Sequence, residues 1–515
     1  MKIDVTERQI QTLVEDVVRQ VREKMGGNAG AAAPPVASGA PAGSGEAVAT
    51  TPTVPTRVST PQPPAPTGGG LVPDPSSGVF VDVDSAVAAA QASYEQLMDM
   101  SVREREVLIA AMRRAAVENA ERLGHLAVEE THLGRPEAKV QKILLAARKT
   151  PGTEDLDPKA YSGDDGLTLV EPAPFGVIAA ITPSTNPPST VINNSIGMVA
   201  AGNGVVINPH PAAKTVSNET VKVLNKAIVS AGGPPTLICS IAEPTMDTGQ
   251  AIMKHHGVKL LMVTGGEGVV KVAMASGKKT IAAGPGNPPV IVDDTANITR
   301  AAKNIVDGAS FDNNVLCIAE KEIFVFDNVA DRLKEEMLRY GAYELSGRTL
   351  DALVEECIDT GDPQHPRART PRVGRDAATL LSIVGVDAPR GVRLLLAEVD
   401  DPKHPLVQAE QLMPIIPMVR ARDLDQALSW ALDAEHGFRH TAVMHSEHVS
   451  RMSRVARAVE TSIFVKNAPS YAGLGFGGEG FTTLSIATPT GEGLTSARTF
   501  TRQRRCVLAG AFRII

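Results

Sequence analysis

The chain is expected to fold as an α/β protein built on doubly wound, parallel sheets, and two patterns carry that expectation. Short apolar runs of strand type recur through the middle of the sequence: "FGVIAAI" (175–181), "GVVIN" (204–208), "TLICSI" (236–241), "KLLMVT" (259–264) and "PVIVDD" (289–294). Between them lie stretches of helical character such as "SNETVKVLNKAIVSAG" and "EGVVKVAMASG". Strands that are apolar throughout are buried on both faces, which is what helices packed on each side of a parallel sheet produce. Nucleotides usually bind such sheets at the carboxyl ends of the strands.

Taken from the start, residues 1–25 hold Ile10, Leu13, Val14, Val17, Val18 and Val21 at the spacing of one helix face, with five basic and five acidic residues elsewhere. From Gly26 to about Pro75 the chain is Pro, Gly, Ala, Ser and Thr with scarcely any charge, a mixture that cannot bury enough surface to offset chain entropy. That stretch is expected to be a disordered tether. A helix on a long tether cannot pack continuously against its own domain, so its apolar stripe is read as docking in a groove or on another helix. Folding back on the body or joining an oligomer is the alternative.

The folded body is expected from near Gly78, where "GVFVDVDSAVAAAQASYEQL" reads as a short strand and a helix, with helices continuing to about Arg148. A second α/β section runs from about Ala283 to Asn467, with strands at "EIFVF" (322–326), "RLLLAEV" (393–399), "IIPMV" (415–419) and "TAVMHS" (441–446). "LTLVEPAP" (167–174) and "RQRRCVLAGAFRII" (502–515) read as long β segments outside both sheets. They either pair between subunits or close a sheet edge.

With 515 residues, 43% of them hydrophobic, the chain can bury a large core divided among two to four domains. A net charge of −7 supplies no basic field for nucleic acid or an anionic membrane surface. The four cysteines, Cys239, Cys317, Cys357 and Cys506, stand far apart and match no zinc or disulfide spacing, and the histidines form no metal set. Free thiols in a reducing cytoplasm are expected. No apolar run has the length or flanks of a signal peptide or a membrane span, so a soluble, unprocessed protein is expected.

Five local patterns occur in one order: "ITPSTNPPST" (181–190), "VTGGEG" (263–268), "AAGPGNPP" (282–289), "FDNNVLCIAEKEIFVF" (311–326) and "EQLMPIIP" (410–417). Together, over residues 78–515, they resemble the aldehyde dehydrogenase superfamily, and in detail its CoA-acylating branch, the propionaldehyde and acetaldehyde dehydrogenases of bacterial microcompartments. The leader resembles the encapsulation peptides of the same enzymes. The resemblance implies a Rossmann-type NAD-binding domain at 76–282, with 150–173 part of a β oligomerisation arm. It further implies a catalytic domain at 283–470, and a C-terminal stretch, 471–515, that returns to the cofactor domain and ends in the arm. A homodimer or homotetramer inside a microcompartment, attached through residues 1–25 to a shell protein or a co-encapsulated enzyme, is implied as well.

Cys317 lies just before a strand, after a polar loop with two asparagines, where a side chain can reach a cleft. A thiolate there can add to an aldehyde carbonyl, giving a thiohemiacetal whose carbon can release hydride to a nicotinamide; the resemblance makes Cys317 the nucleophile and leaves the other three cysteines structural. Asn186 follows a strand end in a Pro-rich turn, and its amide can donate to the oxygen that becomes negative, with the Cys317 N–H as second donor. Gly265 and Gly266 stand between strand and helix, where phosphate oxygens can approach helix-start amides. The resemblance implies that the NAD pyrophosphate binds there, that Thr182 and Pro183 also contact the cofactor, and that Glu410 binds the nicotinamide ribose. Asn208 and His210 are implied to line the adenosine side, although hydrolytic relatives carry lysine where Asn208 stands, and His210 either touches a phosphate or simply turns the chain.

Hydrolytic relatives carry a glutamate in an "E-L-G-G" pattern that activates water. Here the equivalent stretch is "AAGPGN", with Ala283 at the glutamate's position. A positioned base usually contributes roughly 100- to 10,000-fold, so water should attack slowly. A thiol already holds a few per cent thiolate at neutral pH and needs less help, so coenzyme A is expected to take the acyl group of a short aldehyde. The competing readings are a hydrolytic aldehyde dehydrogenase with another base near Cys317, and a non-catalytic scaffold attached to a shell.

Overall fold

The computed structural model describes residues 74–362 and 365–515. The amphipathic leader at 1–25 and all but the last two residues of the tether at 26–75 lie outside the described residues. The first sheet has six strands in the order Val79–Phe80, Ile238–Ile241, Gly204–Pro209, Val177–Thr182, Val258–Thr264 and Lys279–Ala283, every pair parallel. Its central residues, among them Ile178, Val206, Leu261 and Met262, have no exposure, which is why these runs are apolar at every position. The chain winds one way from Val177–Thr182 to its neighbours on one side and then reverses to Val258–Thr264. The switch in direction opens a crevice beyond Thr182 and Thr264, at the carboxyl ends.

The second sheet has seven parallel strands in the order Ala342–Leu345, Leu394–Glu398, Ile415–Ala421, Glu322–Phe326, Pro289–Val292, Thr441–His445 and Ile463–Lys466. The α/β expectation is met in both sheets. The strands at Lys279–Ala283, Ala342–Leu345 and Ile463–Lys466 were not legible as apolar runs, because each is a short edge strand with a neighbour on one side only.

Helices Val83–Met98, Val102–Glu118, Ala120–Thr131 and Pro136–Lys149 fill the region before residue 150. Their starts carry local signals: the Asp82 side chain accepts from the Ser85 N–H at 2.8 Å, Ser101 and Glu104 form a capping box, and Pro136 occupies the first turn. Helix Pro187–Ala200 is buried at all its positions. The two long β segments pair with each other: Thr501–Ala509 runs antiparallel to Gly166–Pro174, with Lys159–Gly163 on the other side. The C-terminal strand stops at Ala509, so the expected β segment is shorter than its sequence suggested. No described helix is long and apolar enough to cross a membrane.

Candidate active site

At the crevice, the strand ending in Thr264 turns through Gly265 into helix Glu267–Met274, with Gly266 as its N-cap. The Thr264 hydroxyl lies 2.8 Å from that of Ser485, and the Gly265 N–H donates to the Ala283 carbonyl at 3.2 Å. Gly265 is therefore committed to the fold, and a Cβ there would sit 2.8 Å from Val269 Cγ1. Gly266 differs. Its φ of −66° suits any residue, and a Cβ at Gly266 or Gly268 would meet nothing within 4 Å. Neither backbone nor neighbours require glycine at 266, while the open space lies over the first amides of a helix, where anions are stabilised. Across the crevice the buried Thr182 hydroxyl has no partner among the described residues. An orphaned donor and an open helix start suit the phosphates of a dinucleotide.

Asn208 and His210 follow the neighbouring strand. The Asn208 side-chain carbonyl accepts from Thr248 Oγ1 at 2.8 Å, leaving its amide N–H groups as donors. His210 is exposed and caps a short turn, its Nδ1 accepting from the Ala212 N–H at 3.1 Å. Its turn role is the one the geometry favours.

Cys317 follows helix Ile298–Ser310 through a loop in which Asp312, Asn313 and Asn314 all adopt left-handed conformations, with φ of 49°, 52° and 65°. Asp and Asn tolerate that region better than other residues with a Cβ. All three side chains are buried and brace the backbone: Asn313 Nδ2 donates to the Gly374 carbonyl at 2.9 Å, and Asn314 Nδ2 to the carbonyls of Ala309 and Glu320, both at 2.9 Å. Asp312 accepts from the Arg135 N–H and Lys139 Nζ, both at 2.8 Å, and from Lys142 Nζ. The sulfur-bearing residue is consequently held on a rigid support, partly exposed between the buried Leu316 and Ile318.

Charge around the sulfur is mixed. Burial, then Glu410, pushes the Cys317 thiol up to about 12, while Lys321, its own N–H and Lys142 favour the thiolate. Lys321 donates to the Asn314 carbonyl at 3.0 Å, and burial lowers it to about 8. Burial raises Glu410, with Lys321 and then the Gly286 N–H opposing. A Cβ on Gly286 would lie 2.9 Å from both the Cys317 carbonyl and His440 Cγ, so glycine lets this turn close on Cys317. Ala283 is buried at a strand end, and 282–289 contains no carboxylate.

Asn186 is the buried N-cap of helix Pro187–Ala200. Its Oδ1 accepts from Lys142 Nζ, and its Nδ2 donates to Thr185 Oγ1 at 3.3 Å. Lys142 links Asn186 to the loop before Cys317, and sequence reading missed it. A signal existed: Lys139 and Lys142 fall in the buried register of Ile143 and Ala146 on one helix, where lysine is out of place unless paired. Among the other cysteines, Cys239 and Cys357 are buried with raised pKa values and Cys506 is exposed on the three-stranded sheet. Among the described residues no cluster of His, Cys, Asp and Glu is arranged to hold a metal.

The model of the aldehyde dehydrogenase family matches residues 66–351. An acetaldehyde dehydrogenase (acetylating) of Bilophila wadsworthia is 49% identical over 445 residues, 85% of this chain and 91% of that protein. A propionaldehyde dehydrogenase from the fucose utilisation microcompartment of Clostridium phytofermentans superposes with a TM-score of 0.83 at 48% identity, covering 85% of this chain and all of that one. A Rhodopseudomonas palustris propionaldehyde dehydrogenase, solved with bound CoA and an acylated cysteine, has a TM-score of 0.83 at 45% identity over 85% of this chain and 100% of that chain.

Proposed function

The chain belongs to the aldehyde dehydrogenase family, and from that premise we propose that it is the CoA-acylating kind, oxidising a short aldehyde with NAD and passing the acyl group from Cys317 to coenzyme A. The observation that supports this most is the pairing of Cys317, a half-buried residue among charged groups, with an alanine where hydrolytic relatives hold their base. The crevice sheet, in residues 76–282, holds the dinucleotide, and residues 283–470 supply the nucleophile. When bound, the oxidised nicotinamide accepts the hydride and adds positive charge beside the sulfur.

Thr182, Pro183 and the amides from Gly266 onward hold the phosphates, Asn208 faces the adenosine, and Glu410 binds the ribose hydroxyls. The Cys317 sulfur adds to the aldehyde carbon, and the new oxyanion takes hydrogen bonds from Asn186 Nδ2 and the Cys317 N–H. Departure of hydride leaves a thioester on Cys317. The coenzyme A thiolate then attacks the acyl carbon and Cys317 leaves as thiolate, ready for the next turn. With Ala283 in place of a base, water competes poorly. Incubating enzyme, propionaldehyde and NAD with and without coenzyme A tests this: acyl-CoA with little free acid is expected, and equal acid formation in both would refute it.

The substrate is a C2 or C3 aldehyde, as the relatives' names suggest. The three-stranded sheet, with Val507 and Leu508 exposed on its outer strand, serves as an oligomerisation arm in a dimer or tetramer. Residues 1–25 direct the enzyme into a microcompartment by binding a shell protein or a co-encapsulated enzyme, consistent with the setting of the Clostridium relative.

A further inference from the structure

Lys142 is buried on helix Pro136–Lys149, 44 positions before Asn186. Its ammonium donates to two acceptors that come from different parts of the fold: Asn186 Oδ1, at the start of helix Pro187–Ala200, and Asp312 Oδ2, in the left-handed loop before Cys317. We propose that Lys142 is a positioning residue that clamps the Asn186 carboxamide by its oxygen, so that its N–H end is aimed at the oxyanion formed on the Cys317 adduct. The inference rests on the assignment of Asn186 as the oxyanion donor.

The chemistry of the two groups leaves one orientation. Burial lowers Lys142 to about 7 against the opposing pull of Asp312; its protonated form has only donors, so it meets the amide at the oxygen and the nitrogen is turned the other way. A primary amide has two N–H bonds. One is satisfied by Thr185 Oγ1 at 3.3 Å, and the second has no partner among the described residues. Without Lys142 the amide could rotate and offer its oxygen, which would repel the developing oxyanion. The clamp is itself held in place. Lys139, one turn earlier, donates to the same Asp312 oxygen at 2.8 Å and to the Thr185 carbonyl at 2.6 Å, and the Arg135 N–H donates to the other Asp312 oxygen at 2.8 Å. Both lysines, Asn186 and Asp312 are buried, so each bond acts in a low-dielectric setting where orientation is strongly enforced. Lys142 is also close enough to Cys317 for its charge to favour the thiolate. Two effects are therefore possible, and they can be separated.

The experiment uses full-length Lys142→Met, Lys142→Gln and Asn186→Ala enzymes and the Lys142→Met/Asn186→Ala double variant. Three readouts are taken: steady-state NADH formation with propionaldehyde and coenzyme A, KM for NAD, and the rate of Cys317 alkylation by iodoacetamide. Alkylation forms no oxyanion, so it reports the sulfur's charge alone. Losing an oxyanion donor outright costs about 100- to 1000-fold, so misorienting one should lower kcat about 10- to 100-fold in Lys142→Met, with KM for NAD unchanged. Alkylation should slow much less than turnover, because Lys142 acts on the thiol more weakly than burial, Glu410 or Lys321. Lys142→Gln, which still offers an N–H to the Asn186 oxygen, should recover most of the loss. Adding Lys142→Met to Asn186→Ala should slow the enzyme no further. A fully additive double variant, or alkylation that falls in parallel with turnover, overturns the clamp. Undiminished turnover in Asn186→Ala alone would remove the oxyanion assignment and the clamp with it.

Discussion

Gly266 offers the cleanest separation of a binding role from a structural one. Replacing it by valine puts a side chain where the protein has no atom within 4 Å, on a backbone with φ −66° and ψ 166° that valine adopts freely. The folded state loses only the modest advantage of glycine over valine as an N-cap, about 1 kcal/mol or less. In a body of this size that moves Tm by about 2 °C at most. A phosphate approaching the first amides of helix Glu267–Met274 would instead meet the new methyl groups. Losing one charge-assisted hydrogen bond costs about 1.5–3 kcal/mol, which is roughly 10- to 150-fold in affinity. Initial rates of NADH formation over a range of NAD, together with thermal unfolding, measure both quantities. Gly265→Ala is the contrasting variant: its Cβ would press on Val269 Cγ1 at 2.8 Å, so Tm falls as well. If Gly266→Val leaves both KM for NAD and Tm unchanged, the pyrophosphate does not lie over this turn.

Three further outcomes are expected. Gly134→Ala should lower stability by about 3 kcal/mol, because φ is +77° and the added Cβ would overlap the Asp312 carboxylate, a position with no room to yield; unfolding monitored by denaturant measures it, and a change under about 0.5 kcal/mol would contradict the buried support of the cysteine loop. The Cys317 thiol is raised to about 12, so its thiolate fraction, and with it the iodoacetamide rate at the Cys317 peptide without nucleotide, should climb about tenfold per pH unit from pH 7 to 9. A plateau below pH 9 would show that the lysines outweigh burial and Glu410. Deleting residues 1–25 should leave purified turnover intact while releasing the enzyme from compartments, as fractionation reads it; lost turnover would show that the leader serves the catalytic body.

Much of the fold was written in the apolar runs, since "VIAAI" and "LLMVT" are central strands covered on both faces and nothing else satisfies such sequences. Edge strands such as Ala342–Leu345 escaped because one open side permits polar residues and shortens the apolar signal. At the site, Cys317, Asn186, Gly266 and Glu410 are named by motifs and by the family resemblance, whereas the side-chain contacts around them are not legible in sequence. Lys142 and Asp312 are 170 positions apart and their bond depends on the packing of one helix on a distant loop. The bracing of the polar loop before Cys317 was likewise not legible: the left-handed backbone of Asn313 and Asn314 turns their amides inward onto carbonyls of Gly374, Ala309 and Glu320. His210, open in sequence between a phosphate contact and a turn residue, caps a turn through its Nδ1.

The decisive measurement is mass spectrometry of the Cys317 peptide after enzyme, propionaldehyde and NAD are mixed without coenzyme A and quenched in acid. One propionyl group on that sulfur, accompanied by one NADH per subunit and discharged as propionyl-CoA when coenzyme A is added, is the predicted result. NADH formation with residue 317 unmodified and another side chain carrying the acyl group would contradict it.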